Sequence, residues 1–253
     1  MAVQSIPVEN QPFLYINGLV VTNNATTPNT KVNLSAGQAR DSSDSMDIVL
    51  SAAVVIDTAV IGDPNGLDQG VLAASKVYAI YVIGDSTNKK QPAGLISLAS
   101  NSTPLMPFGY DSYRLVGYAV SDASVHFLIA YIAGNNNYRI FKFDAPQATA
   151  VTAGAATSYT AVSLLAWVPP VENLPVSIAF AFTPGAASRT LKMTPGNATG
   201  DAVTITGQVT SVVVSGNADV LSKVTSSTPE IDYKVSNGGD AVAINVAGFD
   251  FFI

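Results

Sequence analysis

The chain lacks cysteine and has very little histidine and tryptophan. The absence of cysteine from 253 residues excludes disulfides, thiolate metal ligands and cysteine nucleophiles. Histidine occurs once, at His126, inside the apolar segment VHFLIAY. That setting favours a structural histidine on a strand over a member of a Ser-His-Asp triad. The residue types present therefore argue against an enzyme, and we expect neither a catalytic residue nor a cofactor.

Charge is also scarce. Charged residues make up 12% of the chain, against about 25% in ordinary globular proteins. The formal net charge of −6 argues against a nucleic-acid partner, because phosphate binding needs clustered lysine and arginine. Lys89-Lys90 is the only adjacent basic pair, and we expect it to solvate a loop between two strands.

Hydrophobic residues are abundant relative to these few charges. They form 48% of the chain, and the mean hydropathy is +0.31. We infer that some apolar surface is buried between subunits. No apolar run approaches the length of a membrane span, so a membrane protein is not expected. The opening segment MAVQSIPVENQPF lacks a basic region followed by an apolar core, so we expect no secretory signal and a mature chain that begins near Met1.

Short β-branched and aromatic runs separated by turn residues predict an all-β protein with antiparallel, jelly-roll-like β-sandwich architecture. The dipeptide Asn17-Gly18 between two apolar triplets predicts a β-hairpin. The stretch from Leu67 to Ser75 is compatible with one or two helical turns. The β-branched and aromatic run from Tyr78 to Ile83 predicts a strand, and the alternation in SIAFAF from Ser177 predicts another. Further strands are predicted over 113–120, 126–132 and 138–143, with turns at 121–124 and 134–137.

Composition shifts along the chain predict three parts. Residues 1–13 contain two prolines and polar breaks, which indicates an extended N-terminal arm. A β-rich domain is expected over 14–145. A soft boundary near residue 145 opens a segment rich in Ala, Thr and Gly. It leads into a C-terminal β-sandwich domain over 146–253, and we expect the two β domains to pack together.

Two acidic clusters are candidate calcium sites, because calcium prefers several oxygen ligands from flexible loops. The first comprises Asp41, Asp44 and Asp47; the second comprises Asp63, Asn65 and Asp68. Neither matches the EF-hand spacing. Solvated turns are the favoured interpretation of both, so no metal ligand is assigned. The few glutamates lie beside prolines or in predicted loops, which also argues against glycoside hydrolysis.

Aromatic residues around position 110 are candidates for sugar contact. Tyr110 and Tyr113 each offer an apolar ring with a polar tip, although the same pattern occurs in ordinary sandwich cores. We expect a packed corner here, with Arg114 bonded to backbone or to Asp111. At the C-terminus the residues at 251–253 are all apolar and are predicted to complete a strand or seal a subunit interface.

Three segments resemble a structural module of tailed-bacteriophage virions, of the tail-fibre or appendage type. They are LYINGLVVTNNATTPNTKVNLSAGQARDSSDSMDIVL from Leu14, the segment Tyr78 to Gly117, and EIDYKVSNGGDAVAINVAGF from Glu230. The resemblance implies a virion location and a structural role without a reaction. It also implies threefold self-assembly, other virion proteins as partners and a host surface glycan as a further candidate partner.

Three functional hypotheses follow. The first is a non-enzymatic tail-fibre or appendage protein that attaches to the particle through its N-terminal arm. The second is a capsid decoration or head-fibre protein, which would share the same composition and arm. The third belongs to another class, a carbohydrate-binding module with Tyr110 and Tyr113 in an exposed site.

Overall fold

The computed structural model describes residues 15–101, 103–135, 138–197 and 200–252. The predicted all-β class is confirmed, since every regular element in that part of the chain is a strand and sandwich-like sheets dominate. No helix long and apolar enough for a membrane crossing occurs among these residues. The helical turns considered for 67–75 are wrong, because Gly66–Leu67 form a short strand followed by turns. The predicted arm, residues 1–13, lies outside the described residues.

The described residues form two compact units. The first unit contains residues 15–74, 78–139 and 252, and the second contains residues 75–77 and 140–251. The strands that begin in the chain before residue 136 are β1 Ile16–Gly18, β2 Val21–Asn23, β3 Lys31–Leu34, β4 Gly37–Arg40, β5 Asp47–Leu50, β6 Val54–Ile61, β7 Gly66–Leu67, β8 Val77–Gly84, β9 Ala93–Leu98, β10 Ser112–Val120 and β11 Ala130–Asn135. Those that follow are β12 Tyr138–Gly154, β13 Thr160–Ser163, β14 Pro175–Thr183, β15 Arg189–Pro195, β16 Val203–Gly207, β17 Val214–Leu221, β18 Lys223–Thr225, β19 Thr228–Val235 and β20 Ala241–Phe252. The predicted boundary near residue 145 lies within β12.

The first unit contains a three-stranded sheet and a seven-stranded sheet. The small sheet has the order β1-β4-β5, and the large one the order β10-β8-β9-β7-β6-β3-β2. Most ladders are antiparallel, but the two-residue strand β7 pairs in parallel with both β6 and β9. Strand β8, sequence VYAIYVIG, is buried at all eight positions. A strand covered on both faces needs a continuous apolar run, which explains why this stretch lacks polar alternation.

The predicted hairpin at Asn17-Gly18 is wrong. Strand β1 pairs with β4, whereas β2 pairs with β3, so the chain changes sheets at Gly18 and Leu19. Both residues have positive φ, 70° and 53°, and Leu19 is fully buried. Gly18 lies opposite Gly37 in the ladder, and a Cβ on either would fall within 2.5 Å of a backbone atom of the other strand. The Asn-Gly pair therefore serves a close backbone approach between strands rather than a tight turn.

A buried arginine holds this corner. Arg139, at the start of β12, donates from Nη1 to the carbonyls of Leu19 at 2.8 Å and Val116 at 2.6 Å. Its Nη2 donates to Gly18 O at 2.7 Å. Burial lowers the pKa of Arg139 to about 10, which leaves the guanidinium charged at neutral pH. One side chain thus satisfies three carbonyls, two of them at the point where the chain changes sheets.

The second unit is built from two antiparallel sheets. One contains β12, β20, β14 and β17 in this order, and the other has the order β13-β19-β15-β16 with β18 paired to β19. Strand β14 alternates strictly between half-buried and buried positions, so one face packs on the core, as the predicted period of two requires. Phe141 of β12 stacks on Phe249 of β20 with ring centroids 4.8 Å apart. This stacked pair lies in the core of the unit.

The predicted fate of the apolar C-terminus is confirmed for two of its three residues. Phe251 and Phe252 form the end of β20. Phe251 is buried, whereas Phe252 is 72% exposed and packs against the Tyr138 ring at 5.2 Å. The third residue, Ile253, lies outside the described residues.

Candidate functional site

The first acidic cluster folds its own loop. The Asp41 carboxylate is buried and accepts hydrogen bonds from the amides of Ser43 at 3.2 Å, Ser45 at 2.7 Å and Met46 at 2.9 Å. Burial acts to raise the pKa of Asp41, but these hydrogen bonds, with that of the Ser43 hydroxyl, outweigh it and hold the pKa below its ordinary value. Asp41 therefore shapes the loop between β4 and β5.

The other two carboxylates of that cluster pair with Arg40. Its Nε lies 3.0 Å from Asp44 Oδ1, and its Nη1 lies 3.4 Å from Asp47 Oδ1. The hydrogen bond to Asp44 raises the pKa of Arg40. Asp41 therefore binds backbone amides of its own loop, whereas Asp44 and Asp47 share Arg40. Within the described residues, no group of three or more His, Asp or Glu side chains is arranged to hold a metal ion.

The second acidic cluster is also dispersed. Asn65 has φ of 62° and accepts from Gly94 N at 2.8 Å through its side-chain oxygen. Asp68 is buried and accepts from the amides of Gln69 at 2.7 Å and Leu105 at 3.0 Å. Asp63 is exposed. Asn65 and Asp68 fix the connections around β7, so the expected role in turns holds, but the expected solvation is wrong for Asp68 as it is for Asp41, because both carboxylates are buried against backbone amides.

A third carboxylate organises the loop between β8 and β9. Asp85 accepts from the amides of Thr87 at 2.8 Å, Lys89 at 2.9 Å and Lys90 at 3.0 Å, and from the Thr87 hydroxyl at 2.7 Å. The hydrogen bonds from Thr87 are the largest cause of a pKa lowered to about 2. The lysine pair is exposed on this loop, as predicted. Asn88 at the loop tip has φ of 56°.

These two organised loops border a cleft of about 210 Å³. One wall comes from the start of β5, with Met46, Asp47, Ile48 and Val49, and the other from the β8–β9 loop, with Gly84, Asp85, Asn88, Lys90, Gln91 and Pro92. The polar groups of the lining are two carboxylates, two side-chain amides and one ammonium group. Sequence reasoning missed this cleft, because its walls are about 40 residues apart in the chain.

The two tyrosines singled out for sugar contact are both partly packed into the first unit, and Tyr110 also contacts a residue of the cleft. Tyr110 is half-buried, and its hydroxyl donates to Gln91 O at 2.8 Å. Tyr113 is half-buried and packs edge-on against Tyr81 at 5.6 Å. Phe108 is instead the exposed aromatic of the segment, at 95% exposure. Glycan contact by Tyr110 and Tyr113 stays a prediction.

Arg114 is electrostatically linked to Asp41 and Asp44 of the first acidic loop. Burial lowers its pKa, while the charges of Asp44 and Asp41 act in the opposite direction. The Asp111 carboxylate accepts from Ser86 N at 2.8 Å and from Ser112 Oγ at 3.0 Å. Asp111 thus holds the β8–β9 loop through Ser86, and the bonding of Arg114 to backbone or to Asp111 stays a prediction.

The single histidine is exposed and does not lie on a strand. Its backbone amide donates to Asp122 Oδ1 at 2.9 Å, because Asp122 caps a turn over 122–126. The strand predicted over 126–132 therefore begins later than expected, because β11 starts at Ala130. An Asp followed by small residues was the signal for this turn, and it extends two residues further than predicted.

The outer face of the β13–β19–β15–β16 sheet carries a polar cluster that sequence reasoning missed. Lys192 and Lys234 face each other across the β15–β19 ladder. Asp201 receives the Lys192 ammonium at 2.5 Å and the Tyr159 hydroxyl, while Lys234 lies 4.1 Å from the Tyr159 ring centroid. Opposite charge and a ring face thus offset the repulsion of two neighbouring lysines.

The loop between β16 and β17 exposes apolar side chains. Val209, Val212 and Val213 are 57%, 54% and 55% exposed. The following strand, β17, stands last in its sheet's strand order and is mostly exposed along its length. An apolar tip beside an edge strand is a surface suited to contact with another chain.

No protein-family model matches the chain, and no curated protein matches it. Among solved structures it is similar to an isomalto-dextranase of Arthrobacter globiformis T6 complexed with panose, at 10% identity and a TM-score of 0.21, over 91% of this chain and 33% of that one. It is similar to a Cry1Da tryptic core variant of Bacillus thuringiensis, at 8% identity and a TM-score of 0.24, over 93% and 51%.

A third similar structure is that of infectious bursal disease virus, Gx strain, at 10% identity and a TM-score of 0.24, over 96% of this chain and 74% of that one. The chain thus spans a third, a half and three quarters of the three structures in turn. At these TM-scores, none of the likenesses bears on the function of the chain.

Proposed function

We propose that the chain is a non-enzymatic structural component of a tailed-phage virion, a tail-fibre or appendage protein that assembles with copies of itself. The virion assignment rests on the resemblance of the segments starting at Leu14, Tyr78 and Glu230. The assembly rests on surface composition. Few charges and a positive mean hydropathy leave apolar side chains at the surface, and subunit contacts are the way to cover them.

The main support for self-assembly is the exposed loop segment formed by Val209, Val212 and Val213, which we call the valine tip. Complete burial of a valine contributes about 1.5–3 kcal/mol, so covering the exposed half of each contributes about 1 kcal/mol. The three together contribute about 3 kcal/mol per subunit. The neighbouring strand β17 adds an edge at which a second copy can pair through backbone hydrogen bonds.

A double substitution tests this surface. Val212→Asp together with Val213→Asp places two charges in the contact, and we expect a shift from oligomer, a trimer in our proposal, to monomer in light scattering coupled to size-exclusion chromatography. Val171→Asp is the matched control, because Val171 is an exposed loop valine of the same unit. An unchanged oligomer mass in the double variant would remove the valine tip from the assembly.

The virion role is tested by immunogold electron microscopy of purified particles of the source phage. Label at the tail supports the appendage assignment, and label over the head replaces it with capsid decoration or a head fibre. Absence from fully infectious particles overturns both. In a second test, deletion of residues 1–13 is expected to abolish incorporation while leaving circular dichroism unchanged, and normal incorporation would contradict the attachment role of the arm.

A further inference from the structure

We propose that the cleft between the start of β5 and the β8–β9 loop binds one neutral pyranose unit of a carbohydrate. This inference goes beyond the structural role and does not depend on it, because it concerns a different surface of the chain. It also moves the expected sugar contact away from Tyr110 and Tyr113, whose rings are half-buried, to the polar rim of the cleft.

Hydrogen bonds within each loop hold both walls of the cleft in place. Asp41 fixes the loop that leads into one wall through three backbone amides, and Asp85 fixes the other wall in the same way. Tyr110 adds a hydrogen bond to Gln91 O at the far end of the second wall. A site held in place by its own loops loses little conformational entropy on binding, so even a ligand as small as one sugar ring can bind measurably.

The chemistry of the rim suits hydroxyl groups. Asp47 offers carboxylate oxygens, Asn88 and Gln91 each offer a donor and an acceptor, and Lys90 offers ammonium donors. Met46 and Pro92 supply apolar surface for the C–H face of a sugar ring. A few polar groups over an apolar floor is the general pattern of small-molecule sites.

Size and charge narrow the ligand class. The volume of about 210 Å³ lies below the roughly 300 Å³ at which pockets for drug-sized ligands begin, so one ring fits and an extended ligand does not. Asp47 lies 3.4 Å from Arg40, and Asp85 is satisfied by four hydrogen bonds. The two carboxylates of the lining, Asp47 and Asp85, outnumber the single ammonium group of Lys90, so the cleft favours a neutral sugar over an anionic one.

The test is a titration of the full-length ¹⁵N-labelled protein with methyl pyranosides of glucose, galactose, mannose and N-acetylglucosamine, followed by amide chemical shifts. We expect at least one of them to shift amides confined to 46–49 and 84–92, with a dissociation constant on the order of 1–10 mM. Because the methyl group blocks the anomeric oxygen, binding of the glycosides identifies the terminal unit of a glycan.

Two variants separate the site from general surface effects. Asn88→Gly removes a rim amide without straining a backbone at φ of 56°, and Gln91→Ala removes a second one. We expect each to weaken binding about three- to tenfold, the value of one hydrogen bond. Asn173→Gly is the matched control, since Asn173 is exposed with φ of 57° in the second unit, and its affinity should equal that of the wild type.

Each contrary outcome overturns the proposal. No shift with any of the sugars at saturating concentration means that the cleft is not a sugar site. Shifts outside both walls place binding elsewhere, and equal affinity in the Asn88→Gly and Gln91→Ala variants removes the rim amides from recognition. The Val212→Asp, Val213→Asp double variant should bind the sugar like the wild type, so the outcome here is independent of the assembly.

Discussion

Replacing Arg139 by methionine tests the most consequential buried contact of the first unit. Methionine keeps an unbranched side chain of similar length and removes the guanidinium. The carbonyls of Gly18, Leu19 and Val116 then lose the donors that now lie 2.6–2.8 Å from them. Water cannot replace these donors easily, because Arg139 is only 5% exposed.

The expected cost is set by two opposing effects. Hydrogen bonds from a charged donor contribute about 1.5–3 kcal/mol each, and buried carbonyls left unpaired cost about 1–3 kcal/mol each. Removing a charge from a buried site offsets part of this loss of stability, because the guanidinium no longer has to be desolvated. We expect a net loss of about 3–5 kcal/mol in the free energy of unfolding, a large fraction of the roughly 5–15 kcal/mol typical of a domain.

Urea unfolding followed by circular dichroism measures this loss, and hydrogen exchange locates it. Arg139→Met should increase exchange of the amides at 16–21 and 114–118, which surround the three carbonyls. Lys142→Met is the control, since Lys142 is exposed on the same strand, and it should change stability by less than about 0.5 kcal/mol. A loss below about 1 kcal/mol for Arg139→Met would refute the reasoning that this cation holds the corner.

Three further predictions concern other contacts. The pKa of Asp85 lies near 2, below the 3.8 of an unperturbed carboxyl. The contribution of its ionised form to stability should therefore be complete above pH 3.8 and lost as the pH falls through 2. In a series of urea unfolding midpoints measured against pH, Asp85→Asn should flatten the curve over this range. Burial and the bond to Asp201 raise the pKa of Tyr159 to about 12, so Asp201→Asn should lower it in an ultraviolet tyrosinate titration, and an unchanged value would exclude the bond. Gly37→Ala places a Cβ 2.4 Å from Asn17 O, and it should cost about 1–3 kcal/mol in thermal unfolding; a neutral result would show that the strands separate freely.

The sequence alone determined the all-β class and several elements. The β-branched and aromatic run from Tyr78 predicted β8, and the alternation from Ser177 predicted β14, because a strand's side-chain period depends only on which faces are covered. The apolar residues at 251–253 predicted either a strand end or a subunit interface, because apolar side chains left in water forgo burial energy, and Phe251 and Phe252 end β20. In the segment YRIFKF, alternation also places Arg139 on the face of Phe141 and Phe143, a signal for the buried cation that was overlooked.

Only the tertiary structure decided how these elements pair. Asn17-Gly18 carries a strong hairpin signal, yet β1 joins β4, because Gly37 lets its backbone approach closely and Arg139 binds the carbonyls where the chain leaves β1. The cleft likewise joins segments around Asp47 and Asn88 that local sequence does not connect. Local propensity acts through neighbours in the chain, whereas strand partners and concave sites arise from long-range packing, which no short segment encodes by itself.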